Sequence, residues 1–248
     1  MSLNESDFSS LHVIKAWSKA YSPHSLSLRP IYLAKLLKCE HIQNQSFTVV
    51  DMGCGSGELI PTILRHINAT QYIGIDISEH LLSIASSRFP VDTCLFLNRS
   101  INSFLFSMSS CHSRDIPNMG SNRRLFLCIG VLPHMNISEL NTHFSLISKT
   151  VRKGDILIYE TAFRSRVPLR YKLWQALARS TNRKVPNSIT LDCVISRLTA
   201  ANTKIISVTS GPLVQAFKIK FLPVNILRDI KMLMIRSNSQ SFVVAQVQ

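Results

Sequence analysis

The sequence predicts an α/β fold, a mostly parallel sheet with helices on both faces. Three observations carry that prediction. Short apolar and β-branched runs alternate with stretches of helical spacing, which is the order a parallel sheet requires. The first run, Phe47–Met52, is short, β-branched and largely apolar, the look of a strand buried on both faces. A glycine-rich turn, Gly53-Cys54-Gly55-Ser56-Gly57, then joins this run to the first helical stretch.

The elements follow in chain order. After the glycine turn a helical pattern extends to about Ile67, and Pro61, early in it, removes one backbone donor and predicts a late helix start. Gln71–Asp76 is the second strand. Ser78 is placed to cap a helix running to about Arg88, with Leu81, Leu82, Ile84 and Ala85 inward. Thr93–Leu97 is a third strand, Ser107–Asn122 has the composition of a surface loop, and Arg124–Ile129 is a fourth strand. Ser138 and Glu139 open a helix to about Val151, and the turn Lys153-Gly154 leads into a fifth strand, Asp155–Glu160. Beyond residue 161 the rhythm changes. Arg166 to about Ser180 and Thr190 to about Ala201 read as helices, and Lys204–Thr209 and Ser241–Val247 as strands that pair antiparallel. Between these strands Phe217–Phe221 alternates at period two, and Ile226, Leu227, Ile230, Leu233 and Met234 recur at helical spacing.

Composition bounds the function. In 248 residues, 46% hydrophobic and 17% charged side chains exclude a disordered chain and permit a full core. No run approaches the ~18 apolar residues of a spanning helix, and the N-terminal stretch MSLNESDFSS lacks the basic-then-apolar pattern of a secretory signal. The 6 cysteines are scattered without a Cys-x-x-Cys pair, so neither a zinc site nor a disulfide framework is expected, and a reducing cytoplasm is. The net charge of +14 is uneven: residues 1–160 carry 14 basic and 12 acidic side chains, whereas residues 161–248 carry 14 basic ones against Asp192 and Asp229 alone. The second part should attract something anionic.

The glycine turn carries the chemistry. A strand ending in such a turn lets a ligand approach the backbone, and the helix beyond presents the positive end of its dipole. Ligands of open α/β sheets sit at this carboxyl end. The spacing is Gly-x-Gly-x-Gly, with an acid, Asp51, two residues before the first glycine. That negative charge disfavours a pyrophosphate and favours an ammonium group. Asp76 ends the second strand, where an acid takes both hydroxyls of a ribose. A ligand with a carboxylate, an amine and a ribose meets all three features, and S-adenosyl-L-methionine is such a ligand.

The stretch VVDMGCGSGELI followed by YIGIDIS resembles the class I S-adenosylmethionine-dependent methyltransferases, most of all the small-molecule branch that includes quinone-pathway and biotin-pathway enzymes. The resemblance covers about residues 10–160 in pattern and 203–248 in strand order. It implies a Rossmann-like, seven-stranded, mostly parallel sheet with the last strand antiparallel and a helical lid inserted after the fifth strand. It also implies that Asp51, Gly53, Cys54 and Gly55 line the methionine end, that Gly57 opens the helix, that Asp76 holds the ribose and that Ile77 packs on the adenine. Ile129 and Gly130, in CIGVLPHM, match the fourth-strand segment that passes under the methyl donor. Where relatives carry an acid after the third strand, this chain has Asn98, which would have to serve the adenine amine.

Methyl transfer is an in-line displacement needing positioning and, where the nucleophile must lose a proton, a base; no metal is expected. His134, after the fourth strand, is the first candidate base. Glu160, at the end of the fifth strand, is placed to orient a hydroxyl or amine, and Tyr159 is expected on the acceptor side with it. Tyr21, a further candidate catalytic residue, and His24 lie in the N-terminal segment that in this family folds over the cofactor, where each is a candidate to contact cofactor or substrate. Cys54 is read as a small side chain inside the turn. The expected division is a helical cover over 1–45, the cofactor-binding core over 46–163, a basic helical lid over 164–202 and completing strands over 203–248. Within the lid, Arg164, Arg166, Arg170, Lys172, Arg179, Arg183 and Lys184 have no acid among them. Four anionic partners compete for it: a small acceptor with a carboxylate or phosphate, an acceptor tethered to an acidic carrier protein, RNA, and an anionic membrane surface that would suit Phe217–Arg236. A solvated basic face with no specific partner is the fifth reading. The expected activity is O-methylation of a small, partly apolar acceptor. RNA or carrier-tethered methylation, and a non-catalytic cofactor-binding domain acting through a partner, stand as alternatives. The sequence leaves the oligomeric state open.

Overall fold

The computed structural model describes residues 29–89, 92–110, 119, 122–161, 172, 176, 189–212 and 239–248. Tyr21, His24, the lid helix expected from Arg166, its basic residues other than Lys172, most of the 107–122 loop and the 217–236 segment lie outside them. In order, the elements are α1 (Arg29–Leu37), β1 (Ser46–Met52), α2 (Ile60–His66), β2 (Asn68–Asp76), α3 (Glu79–Arg88), β3 (Cys94–Asn98), α4 (Ile101–Ser109), β4 (Arg123–Cys128), a 3₁₀ turn (Leu132–His134), α5 (Ile137–Thr150), β5 (Ile156–Thr161), α6 (Leu191–Ala200), β6 (Thr203–Pro212) and β7 (Ser239–Val247).

The 7 strands form one sheet in the order β3-β2-β1-β4-β5-β7-β6. The pairs from β3 through β5 are all parallel, and β7 runs antiparallel to both neighbours. The reversal between β1, whose chain leaves toward β2, and β4 on its other side makes a crevice at the carboxyl ends of these two strands, the position at which open α/β sheets hold ligands.

The apolar stretches of the strands are buried on both faces, as the sequence predicts. Val50, Met52, Ile73, Phe126 and Leu157 face a core built with Phe104 of α4, Phe144 of α5 and Val194 of α6. Phe47, Val49, Tyr72, Leu125 and Ile158 face the opposite core, closed by Leu33 and Leu37 of α1 and Ile63 of α2. Successive residues alternate faces, so both faces must be apolar.

Local signals fix the helix starts. The Ser78 hydroxyl accepts from the Leu81 N–H at 3.4 Å, and Thr190 accepts from Cys193 at 3.3 Å. Asn136 and Glu139 form a reciprocal capping box, so the fifth helix begins at Ile137, one residue before the Ser138 start expected from sequence. As Pro61 foretells, α2 is short and begins only at Ile60. The expected surface loop yields its first residues to α4, which runs to Ser109. Ser100 caps it, accepting from the Ser103 N–H at 3.2 Å, and Ser109 donates to the Phe106 carbonyl at 2.8 Å, so serines that look like loop formers are satisfied in and around a helix.

Candidate functional site

The site grows from the end of β1. The chain leaves the sheet through Gly53, Gly55 and Gly57, all with positive φ (88°, 53° and 77°). At Gly53 the need for glycine is also steric, because a Cβ there would sit 2.2 Å from Val131 Cγ2, in the segment after β4. The loop is tied to β2: the N–H groups of Gly53 and Cys54 both donate to the Ile75 carbonyl, at 2.7 and 3.1 Å. These donors are therefore engaged, and what the two residues offer a ligand is close backbone approach. The Cys54 side chain packs over Gly74, and burial pushes its thiol well above the usual range.

Asp76, half-buried at the end of β2, is the centre of the arrangement. One carboxylate oxygen accepts the Gly55 N–H and the other the Ser78 N–H, each at 2.9 Å. The carboxylate thus clamps the glycine loop to the start of α3, and each oxygen keeps a lone pair for a further donor. Burial raises its pKa, against the pull of the N–H groups of Ser78, Gly55 and Ile77. Beside it, the exposed Asn98 donates to the Ile77 carbonyl at 3.0 Å, which positions the loop after β2 and leaves its carbonyl oxygen as the group turned outward from that bond. Ile77 is partly exposed at this rim.

Asp51 lies deeper. It is 3% exposed and accepts the Tyr72 hydroxyl at 2.6 Å. Burial pushes its carboxyl up to about 6, with the neighbouring Asp76 adding to the shift and the Tyr72 hydroxyl opposing it. A cation brought near the loop would favour its ionised form.

Across the crevice, Gly130 follows β4 with φ 76°, and a Cβ there would meet the Arg29 guanidinium at 3.2 Å. Arg29 opens α1, and its Nε donates to Glu160 Oε1 at 3.0 Å. Glu160 closes β5 and is 3% exposed. Its Oε2 also lies 3.0 Å from Arg29 Nε, but the N–H is not aimed at it, and this oxygen has no hydrogen-bond partner among the described residues. Burial raises the Glu160 carboxyl, with Arg29 and the Gly130 N–H pulling the other way. His134 ends the 3₁₀ turn close by; burial and the charge of Arg29 lower it to about 4, so its ring is neutral at physiological pH. Ile129 is 7% exposed and packs with the α1 and α2 core, so only its backbone faces this crevice.

The structure therefore brings Asp51, Gly53, Cys54, Gly55, Gly57, Asp76, Ile77 and Asn98 to one side of the crevice and Ile129, Gly130, His134 and Glu160 to the other. Tyr159 does not join them. Strand alternation turns it to the opposite face of β5, where it is 0% exposed, its hydroxyl 2.8 Å from His143 Nε2. Arg29 is the residue the sequence reading missed. The only trace it leaves is a lone arginine before Pro30, since its partner is 131 residues away. Among the described residues no cluster of histidine, cysteine and carboxylate side chains is arranged to hold a metal.

Residues 49–154 match a family model described as a methyltransferase domain. No curated protein matches the chain in sequence. Its fold is similar to that of magnesium protoporphyrin IX methyltransferase from Synechocystis, solved with bound S-adenosylhomocysteine, at TM-score 0.64 and 13% identity over 98% of this chain and 97% of that one. A Haloferax volcanii protein solved in complex with the Trm112 methyltransferase activator gives TM-score 0.64 at 10% identity, over 98% of this chain and 97% of that one. The [4+2]-cyclase SpnF shares the fold at TM-score 0.56 and 14% identity, over 87% of this chain and 80% of that one.

Proposed function

We propose that this chain, whose residues 49–154 match a family model described as a methyltransferase domain, is a class I S-adenosyl-L-methionine-dependent methyltransferase that transfers a methyl group to a hydroxyl oxygen of a small, partly apolar acceptor. The cofactor fits the residues present. Asp76 keeps one lone pair on each oxygen for the two ribose hydroxyls, Gly53 and Gly55 admit close approach of the methionine end, and Asp51 supplies negative charge beneath the amine. Ile77 and Asn98 border the adenine position. When bound, the cofactor supplies an electrophilic methyl group on a sulfonium.

The observation that carries the acceptor reading is Glu160. Its buried Oε2 has no hydrogen-bond partner among the described residues, and a hydroxyl brought to the end of β5 would provide one. Of the two candidate bases, Glu160 is the stronger, because burial raises its pKa whereas burial and Arg29 lower that of His134 to about 4. Glu160 therefore takes the hydroxyl proton and His134, neutral, orients the hydroxyl as an acceptor. Arg29 holds Glu160 in place. A second reading, cofactor binding without methyl transfer, has support in the same fold serving a cyclase.

Calorimetric titration with S-adenosyl-L-methionine and S-adenosylhomocysteine, with Asp76→Ala as control, tests the cofactor site. We expect micromolar binding that the variant weakens by about 2–3 kcal/mol through lost hydrogen bonds. Equal affinity in both proteins would remove the ribose assignment. Binding with no transfer to any hydroxyl acceptor in a screen would favour the second reading.

A further inference from the structure

The end of the sheet opposite the glycine loop carries a groove that the methyl-transfer site does not use. It has a volume of about 840 Å³ and is lined by Lys38, Gln43, Asn44, Gln45, Arg65 and His66. The basic surface continues from it along the amino ends of β1, β4 and β5. Gln45, in the groove wall, accepts from Arg123 Nη1 at 2.5 Å. Arg123 in turn lies 3.4 Å from the position a Cβ would take on Gly154, next to Arg152 and Lys153.

Among the described residues little negative charge answers it. Asp155 is consumed by Arg124, whose Nε donates to it at 3.0 Å in a pair buried to 2–4% exposure. Glu40 is exposed in the turn after α1, and Asp92 precedes β3, two strands away from β1. The dipole of α2 explains why Arg65 and His66 sit in its last turn. It does not explain Arg123, which starts a strand, Arg152 and Lys153, which precede one, or the amide side chains between them.

We propose that this surface binds the phosphodiester backbone of a nucleic acid, without reading its sequence. Guanidinium, ammonium and carboxamide donors together are the groups that contact phosphate oxygens. The groove's own apolar residues, Ile42 and Ile67, are 2% and 6% exposed, so a protein partner finds no apolar anchor there and a lipid surface no inserting side chain. No phenylalanine, tyrosine or tryptophan lines the groove, and His66 is the one ring in its lining, so the main ligand there is the backbone and not a stack of bases. β1 spans 7 residues, or roughly 20 Å, between this surface and the glycine loop. The nucleic acid is therefore a tether at one end of the sheet and not the methyl acceptor at the other, and the inference does not depend on the activity proposed above.

The test is fluorescence anisotropy of the full chain with labelled single-stranded RNA and duplex DNA 20-mers between 50 and 200 mM salt. The groove variant is Lys38→Gln/Arg65→Gln/Lys153→Gln, all exposed side chains. The control variant, Arg179→Gln/Arg183→Gln/Lys184→Gln, removes the same charge from the basic stretch 164–184 of the sequence. Thermal unfolding checks that both fold. We expect the wild type to bind at 50 mM salt and the groove variant to lose tenfold or more. Its log Kd against log salt slope should fall by about 2–3, the counterions released by three phosphate contacts. The control variant should lose less than threefold. Preference between the two probes identifies the nucleic acid. Absence of wild-type binding, wild-type affinity in the groove variant, or equal losses in the two variants would overturn the proposal. So would loss of binding to phosphatidylserine vesicles in the groove variant with RNA and DNA binding unchanged.

Discussion

Arg29 and Glu160 meet at the carboxyl end of the sheet, with the guanidinium Nε 3.0 Å from each carboxylate oxygen although 131 residues separate them. The pair joins α1 to the last residues of β5 and sets the charge that the neighbouring His134 feels. Removing one partner of a buried pair leaves the other uncompensated and costs about 3–5 kcal/mol, of which Arg29, 20% exposed at its side chain, should show the lower part. Arg29→Met should therefore lower the unfolding free energy in urea by about 3 kcal/mol. Adding Glu160→Leu should recover part of that loss. Additive single effects would mean that the two residues do not act as a pair.

The same cluster orders the candidate bases. Glu160→Gln should reduce kcat by about 100-fold or more with cofactor affinity nearly unchanged, the scale of a lost general base. His134→Asn should cost about tenfold. Because the His134 ring is already neutral down to about pH 4, the kcat–pH profile above pH 5 should keep its shape in that variant. A larger loss from His134→Asn than from Glu160→Gln, or a profile shifted by it, would reverse the assignment.

Gly53 is held to glycine twice, by φ 88° and by the 2.2 Å separation between a Cβ there and Val131 Cγ2. Gly53→Ala should thus destabilise the loop by more than the ~1–3 kcal/mol of left-handed strain alone. It should also weaken S-adenosylhomocysteine binding at least tenfold by calorimetry. Val131→Ala in the same chain removes the clash and leaves the backbone strain, so it should restore part of the affinity. No restoration would locate the whole effect in the backbone.

The parts of this molecule that were legible in sequence are those written in local patterns. Val49-Val50 before a glycine turn, Ser78 before an amphipathic stretch and Pro61 in the first turn of a short helix each state their own structure, and strand alternation with helices then dictates a parallel sheet. Asp76 was legible because its place, the end of the second strand, follows from counting. Arg29 was not, because an arginine acquires meaning from its partner and Glu160 lies at the far side of the sheet. Tyr159 was misplaced for a related reason. In a strand apolar on both faces nothing local says which residue points where, and a tyrosine hydroxyl is satisfied equally by solvent or by a buried histidine. The helix Ile101–Ser109 was obscured because serine signals a loop unless its hydroxyl finds a carbonyl three residues back, as Ser109 does with Phe106.

That buried histidine, His143, and Asp51 should give acid stability curves of opposite slope. Burial lowers His143 to about 3, from 6.5 in the unfolded chain. Above pH 6.5 neither state binds the proton. Between 6.5 and 3 the unfolded chain takes it and the folded chain does not, so this group removes stability as pH falls, about 1.4 kcal/mol per unit. Asp51 is raised to about 6 from 3.8. Between those values the folded chain binds the proton and the unfolded chain does not, so stability from this group is gained as pH falls, by about 3 kcal/mol in all. Urea unfolding from pH 7 to 4 should accordingly show wild type losing ground to His143→Asn and gaining ground on Asp51→Asn. Parallel curves for wild type and His143→Asn would mean that the folded ring titrates like an exposed one, which its 0% exposure and 2.8 Å bond to the Tyr159 hydroxyl do not allow.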